Sequence, residues 1–269
     1  MPDFSLAEDL RLARDLADMA HVLSIERFRA GDLVVETKPD STPVTDADRA
    51  VEQAIRAALR ESRPGDSLLG EEYGARGNPS GRQWIVDPID GTANFLRGVP
   101  VWATLIALAI DDVPVVGVVS APALGRRWWA ARGLGAWTVE SNGRGQVSAP
   151  RRLAVSKVSA VADASLSYNS LKGWQQAGRV DALLRLSTDV WRTRAYGEMW
   201  SYMLVAEGAV DVAAEFDLQV YDLAALIPIV EEAGGRFTSA DGLPGPDHGS
   251  ALATNGLLHD AVLAYIRLE

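Results

Sequence analysis

The sequence predicts an α+β half followed by an α/β half. Three observations carry this. Two stretches with apolar residues at helical spacing open the chain. Short runs rich in Val, Ile and Leu then follow one another at hairpin distances. From about residue 145 strand-like and helix-like segments alternate.

Ser5–Leu6–Ala7–Glu8 has the pattern of a capping box, and Leu6, Leu10, Ala13, Ala17 and Ala20 continue it as a helix to about Phe28. Thr45–Asp46–Ala47–Asp48 repeats the cap. Val51, Ile55, Ala58 and Leu59 mark the buried stripe of a second helix, which Pro64–Gly65 stops. The period then shortens. Ser67–Gly70, Trp84–Ile89, Val101–Ile110, Val113–Ser120, Arg126–Ala131 and Gly135–Val139 are expected strands. Asp111–Asp112 and Ser141–Asn142–Gly143 are the turn signals among them. Beyond these, strands are expected at Arg152–Val155, Leu166–Asn169, Val210–Glu215, Arg236–Thr238 and Ala251–Thr254. Helices are expected at Lys172–Leu186, Gly197–Glu207, Tyr221–Ala233 and Leu257–Ile266. The boundary falls between residues 1–144 and 145–269, with no flexible tether in the composition, so the two halves are expected to pack tightly.

With 48% hydrophobic and 23% charged residues, the chain has enough apolar surface for a sizeable core. Its net charge of −10 disfavours nucleic acid or an anionic membrane as a partner. The absence of cysteine excludes disulfides, thiolate metal sites and cysteine-nucleophile chemistry. The opening Met1–Pro2–Asp3–Phe4 lacks the pattern of a secretory signal, so a cytoplasmic protein is expected. The run Val101–Ile110 is too short for a bilayer span, which needs ~20 residues. No lysine follows a glycine as a phosphate-binding P-loop requires, no G-x-S-x-G elbow occurs, and His21, His248 and His259 lack the spacing of a zinc pair.

What the chain has instead is acid at loop positions. Asp87–Pro88–Ile89–Asp90–Gly91–Thr92 follows the apolar strand Trp84–Val86, and Glu71–Glu72 follows Leu68–Leu69–Gly70. Asp222 opens an apolar helix that closes on Glu231–Glu232–Ala233–Gly234–Gly235. Taken singly, Asp222 is what a helix cap requires, and Glu71–Glu72 is what a solvated surface carries. Two acids at the end of a buried strand are harder to dismiss, because they repel unless a cation intervenes. Carboxylates converging without lysine or histidine suit a hard cation such as Mg²⁺.

The motifs Gly70–Glu72, Trp84–Phe95 and Tyr221–Gly235 resemble, in order and spacing, the signatures of the inositol monophosphatase family. Tyr221 stands where that family usually has Trp. The resemblance implies a layered αβαβα sandwich and a Mg²⁺-dependent phosphomonoesterase with two or three ions per site. It implies Glu71, Asp87, the carbonyl of Ile89, Asp90 and Asp222 as metal ligands, with Asp48 and Glu72 beside a further ion. Gly91 and Thr92 would cradle the phosphate, while Glu71 and the Thr92 hydroxyl would orient and deprotonate a metal-activated water for direct attack. A homodimer is the family expectation.

Within the family, Asn94–Leu108 is similar to the histidinol-phosphatase branch: Arg97 stands where inositol-directed members have His, and Val99–Pro100 where they have Phe-Pro. Arg97 could equally be a surface side chain, and Trp102 could simply fill core. Histidinol phosphate is therefore the favoured substrate, with inositol 1-phosphate, fructose bisphosphate and phosphoadenosine phosphate as alternatives. Its alcohol carries an ammonium, so acids are expected on the leaving-group side, beyond the metals. Glu198 and Glu215 are the candidates, with Asp90 and Asp222 also facing the substrate. Glu198 has a competing explanation as an acid balancing a helix N-terminus.

Overall fold

The computed structural model describes residues 4–38, 42–77, 81–141 and 146–267. Helix α1 (Leu6–Arg27) starts where its cap dictates, Ser5 and Glu8 exchanging side-chain and backbone hydrogen bonds. Strands β1 (Val35–Thr37) and β2 (Pro43–Thr45) pair antiparallel. Both are short, β1 exposed and β2 buried at Val44 and Thr45, and neither carries the periodicity by which a strand is recognised. Helix α2 (Asp46–Ser62) then begins on a second capping box, Thr45 with Asp48, and stops ahead of Pro64.

The next strands form one sheet: β3 (Ser67–Gly70), β4 (Gly74–Arg76), β5 (Arg82–Asp90), β6 (Ala103–Ile110), β7 (Val113–Ala121), β8 (Arg126–Ala131), β9 (Gly135–Glu140) and β10 (Arg151–Arg152). Their order is β10-β9-β8-β7-β6-β5-β3-β4, antiparallel except for β3 against β5. A short helix, α3 (Thr92–Arg97), connects β5 to β6. At the β6–β7 hairpin, Asp111 and Asp112 both take positive φ, 50° and 62°, as a tight turn matched to strand twist requires. Residues 142 and 143 of the other turn signal lie outside the described residues. The expected strand Arg152–Val155 is cut short: Arg151 and Arg152 pair with β9, whereas Val155 donates its N–H to Ala233.

The second sheet comprises β11 (Ser165–Tyr168), β12 (Arg192–Arg194), β13 (Val212–Phe216), β14 (Arg236–Thr238) and β15 (Ser250–Thr254), ordered β12-β11-β13-β15-β14. Its helices are α4 (Leu171–Gln176), α5 (Val180–Asp189), α6 (Glu198–Ala206), α7 (Val220–Leu223), α8 (Leu226–Glu232) and α9 (His259–Ile266). The single helix expected over Lys172–Leu186 is two, because Gly178 sits at φ 70°. The helix expected over Tyr221–Ala233 is likewise divided, between Leu223 and Leu226.

Strand alternation builds the layers. Trp84, Val86, Ile106 and Leu108 face α1 and α2, burying Ala13, Leu16, Ala17, Val51 and Ile55. Ile85, Leu105 and Ala107 point the other way, into a core shared with Met199, Tyr202 and Met203 of α6 and Ile227, Ile229 and Val230 of α8. Ala213 and Ala251 bring the second sheet into that same core. Its far face carries Leu166, Val212 and Leu252 against Trp174, Leu183, Leu186 and Val262. The result is helix, sheet, helix, sheet, helix. A sheet covered on both faces explains why β6 is apolar along nearly its whole length.

Candidate metal and substrate site

The site forms where β5 ends. Pro88 cannot donate to the ladder, and the β5–β6 register shifts between Asp87 and Asp90. The Thr104 hydroxyl donates to the Pro88 carbonyl at 2.8 Å, and Asp87 accepts the Ile89 N–H at 2.9 Å. This break turns Asp87 and Asp90 toward one point. Asp222 arrives from α7, where one carboxylate oxygen accepts the Gln219 N–H at 2.7 Å. The helix-cap explanation of Asp222 is therefore correct and incomplete. Among the described residues, Asp87, Asp90 and Asp222 each offer a carboxylate oxygen such that these oxygens lie within 4.8 Å of one another.

Burial raises Asp87 well above the ordinary carboxylate range, and the charges of Glu71, Asp90 and Asp222 add to it. Burial does the same to Asp90, helped by Glu198 and Asp222. Asp222 is pushed up to about 7, again chiefly by burial. Three mutually repelling carboxylates, Asp87 buried and Asp90 and Asp222 partly so, form a donor set that fits a hard divalent cation.

Glu71 and Glu72 follow β3. The expectation that these acids converge without lysine is wrong. Lys38, just beyond β1, places its ammonium 2.7 Å from Glu71 and 2.6 Å from Glu72. Burial alone would lower Lys38, but the two carboxylates hold it charged well above its ordinary range. Burial in turn lifts Glu72 to about 7. Lys38 escapes sequence reading because nothing around it is periodic and the β1–β2 hairpin that delivers it has no strand signature.

Asp48 is fully buried. One of its oxygens takes the Thr45 N–H at 2.8 Å, completing the α2 cap. The other lies 3.2 Å from the Thr92 hydroxyl, which is also 3.1 Å from the Ile89 carbonyl. Burial raises Asp48 as well, the Thr45 hydrogen bonds opposing it. Gly91 caps α3 at φ 86°, and a Cβ there would meet Glu198 and the Val101 carbonyl at 3.0 Å, so only glycine fits.

Beyond the acid cluster lie Glu198 and Glu215. Gly197 at φ 91° and Glu198 at φ 45° bend the chain so that the Met199 N–H donates to Asp90 at 2.9 Å. Glu198 is mostly buried, and burial lifts it to about 7, with Asn94 partly offsetting the shift. It is not the solvated acid of an ordinary helix N-terminus. Glu215, the penultimate residue of β13, accepts from the Asn169 amide at 2.7 Å and the Tyr202 hydroxyl at 3.2 Å. Burial pushes it to about 8.

Two other motif residues serve the fold, and a third lies on the surface. Trp102 is fully buried against Phe28 and Phe95, with centroids at 5.2 and 4.9 Å. Arg97 is exposed at the end of α3. Glu232 accepts the Gly133 and Gly135 N–H groups, both at 2.8 Å, and so pins the β8–β9 hairpin to α8.

A layered sandwich of this kind, with its acid cluster at the broken end of β5, is that of a phosphatase, a hydrolase. The chain belongs to the inositol monophosphatase family, whose model matches residues 5–268. It is 60% identical over 256 residues to a histidinol-phosphatase of Mycobacterium tuberculosis, covering 95% of this chain and 96% of that protein. A histidinol-phosphatase of Streptomyces coelicolor is 56% identical over 270 residues, covering 99% and 98%. The structure of an inositol monophosphatase from Zymomonas mobilis superposes with a TM-score of 0.84 at 32% identity, covering 99% of this chain and 100% of that one. Among the described residues no helix is long and apolar enough to cross a membrane.

Proposed function

We propose that this phosphatase hydrolyses histidinol phosphate to histidinol and phosphate, with Mg²⁺ held by its acid cluster. The observation that carries the substrate is the pair Glu198 and Glu215. Both acids interact with Asp90, outside the three-carboxylate group, and burial holds both above their ordinary range. A buried acid of this kind ionises when a cation arrives, which suits an alcohol bearing an ammonium. The similarity to two histidinol-phosphatases at 60% and 56% identity supports the same substrate.

Asp87, Asp90 and Asp222, with Glu71 and the Ile89 carbonyl, are the residues we assign to the metal; Asp48 and Glu72 would serve a further ion. A Mg²⁺ ion held there would neutralise phosphate charge and make a water acidic enough to attack. Gly91 and Thr92 hold the phosphate at the head of α3, whose first-turn N–H groups have no partner within the helix. The Thr92 hydroxyl, lying between Asp48 and the Ile89 carbonyl, orients the water, and Glu71 takes its proton. Glu198 and Glu215 bind the departing alcohol.

Phosphate release from a panel tests this: histidinol phosphate, inositol 1-phosphate, fructose bisphosphate and phosphoadenosine phosphate, each with Mg²⁺ and with excess chelator. Histidinol phosphate should give the highest kcat/KM, and chelator should stop release from all four. Equal kcat/KM on the inositol ester would remove the substrate assignment. Full activity in chelator would remove the metal.

A further inference from the structure

Glu52 of α2 lies outside every motif discussed so far, and its side chain is 0% exposed. It stands one helical turn after Asp48, on the same face. One carboxylate oxygen accepts the Glu72 N–H at 2.7 Å; the other accepts the Tyr73 N–H at 3.2 Å and the Arg56 guanidinium at 2.6 Å. Arg56 also donates to the Gly74 carbonyl, so one buried ion pair grips the whole turn between β3 and β4. Gly70 is shaped to this arrangement. A Cβ there would sit 2.1 Å from a Glu52 oxygen, so the carboxylate occupies the space a side chain at position 70 would need.

An apolar residue could fill that volume without the cost of burying a charge. What it could not do is hold two successive N–H groups of the turn that carries Glu71 and Glu72. We propose that Glu52 is the positioning residue of this turn, setting how tightly Glu71 and Glu72 engage the cation, with Gly70 as its steric partner and Arg56 as its counter-ion. This rests on the assignment of Glu71 and Glu72 under Proposed function.

The test uses the full chain and two readouts besides turnover: Mg²⁺ titration calorimetry, and hydrogen exchange at the Glu72 and Tyr73 amides in metal-free protein. Glu52→Gln keeps the shape but turns a donor toward one of the N–H groups it now accepts. It should weaken Mg²⁺ binding about 10-fold, the lower end for groups that orient metal ligands. Exchange at both amides should quicken, while KM at saturating Mg²⁺ stays within about twofold. Gly70→Ala, which displaces the carboxylate from the other side, should produce the same Mg²⁺ shift. Gly70→Ala should add little in a Glu52→Ala background, because the atom it would strike is gone. Unchanged Mg²⁺ affinity and exchange in Glu52→Gln would overturn the proposal. So would loss of the fold in both single variants, which would make Glu52 a support of the whole structure. If the wild-type chain itself binds no Mg²⁺, the metal assignment fails before any variant is compared. The exchange arm then still decides whether Glu52 holds the turn.

Discussion

At Asp90 a single side chain does two things that can be separated by one atom. One oxygen takes the Met199 N–H and so ties α6 to the end of β5, while the carboxylate charge faces Asp87 and Asp222. Asn at this position keeps an oxygen for Met199 and loses the charge. Asp90→Asn should therefore unfold at nearly the wild-type temperature yet lose about 100-fold or more in kcat/KM, the scale of removing one preorganised electrostatic group. Wild-type turnover in that variant would show that Asp90 holds no metal. Glu198 and Glu215 give a different signature. A charge-assisted hydrogen bond contributes about 1.5–3 kcal/mol, or about 10- to 100-fold in affinity. Glu198→Ala or Glu215→Gln should lower kcat/KM on histidinol phosphate by about that factor, with an uncharged aryl phosphate changing by less than about threefold. Equal losses on both substrates would assign these acids to the metals or the fold instead.

The elements that deliver these residues are held at contact distance. Gly117 of β7 faces the link between α7 and α8, where a Cβ would lie 2.1 Å from the Ala225 carbonyl oxygen. Gly117→Ala must push that link away from the sheet, and α7 carries Asp222 with it. The expected cost is roughly 1–3 kcal/mol in urea unfolding, typical of overpacking, together with weaker Mg²⁺ binding. Unchanged stability would mean the sheet yields instead of the helix link. Gly117 shows what kind of information the sequence holds. Strands β5 to β8 are legible because most of their residues are buried on both faces, and α1 and α2 because capping boxes announce them. The acid string at Asp87–Thr92 was legible because proline and paired carboxylates make poor strand. What stayed hidden were features set by tertiary packing. The β1–β2 hairpin has no apolar period, so Lys38 was not expected beside Glu71 and Glu72. The break at Gly178 is masked by the helical rhythm that the surrounding residues keep across it. Glu52 carries no sequence signal of its role: Arg56 one turn on is an ordinary i,i+4 pair, and the Glu72 and Tyr73 N–H groups it accepts leave no mark in the sequence.

The whole molecule carries a net charge of −10, and it concentrates acids where β5, β13, α6 and α7 converge. Burial there has a consequence for stability whose sign can be stated. Asp222 moves from 3.8 to about 7 and Glu215 from 4.5 to about 8, so the folded state binds protons that the unfolded state has released. The stability this contributes is complete below the unfolded values and is lost progressively as pH rises from about 4 through the folded values of about 7 and 8. His259 acts in the opposite sense. It is fully buried between Thr238 and Thr254 and lowered from 6.5 to about 4, so its contribution is present above pH 6.5 and fades toward pH 4. Below pH 6.5 the two windows overlap and oppose each other; above it only the acids still change. In chelator the unfolding temperature should fall between pH 6.5 and pH 8.5, driven by the acids alone. Mg²⁺ binds the ionised cluster, so it competes with protons and should raise the unfolding temperature more at pH 8.5 than at pH 6.5. At 100 times its dissociation constant the gain is about 2.7 kcal/mol by mass action. Thermal scans at the two pH values, with Mg²⁺ and with chelator, read this directly. A Mg²⁺ shift of equal size at both would mean that the cation binds groups whose charge does not change over this range, and the buried acids would lose their role as its site.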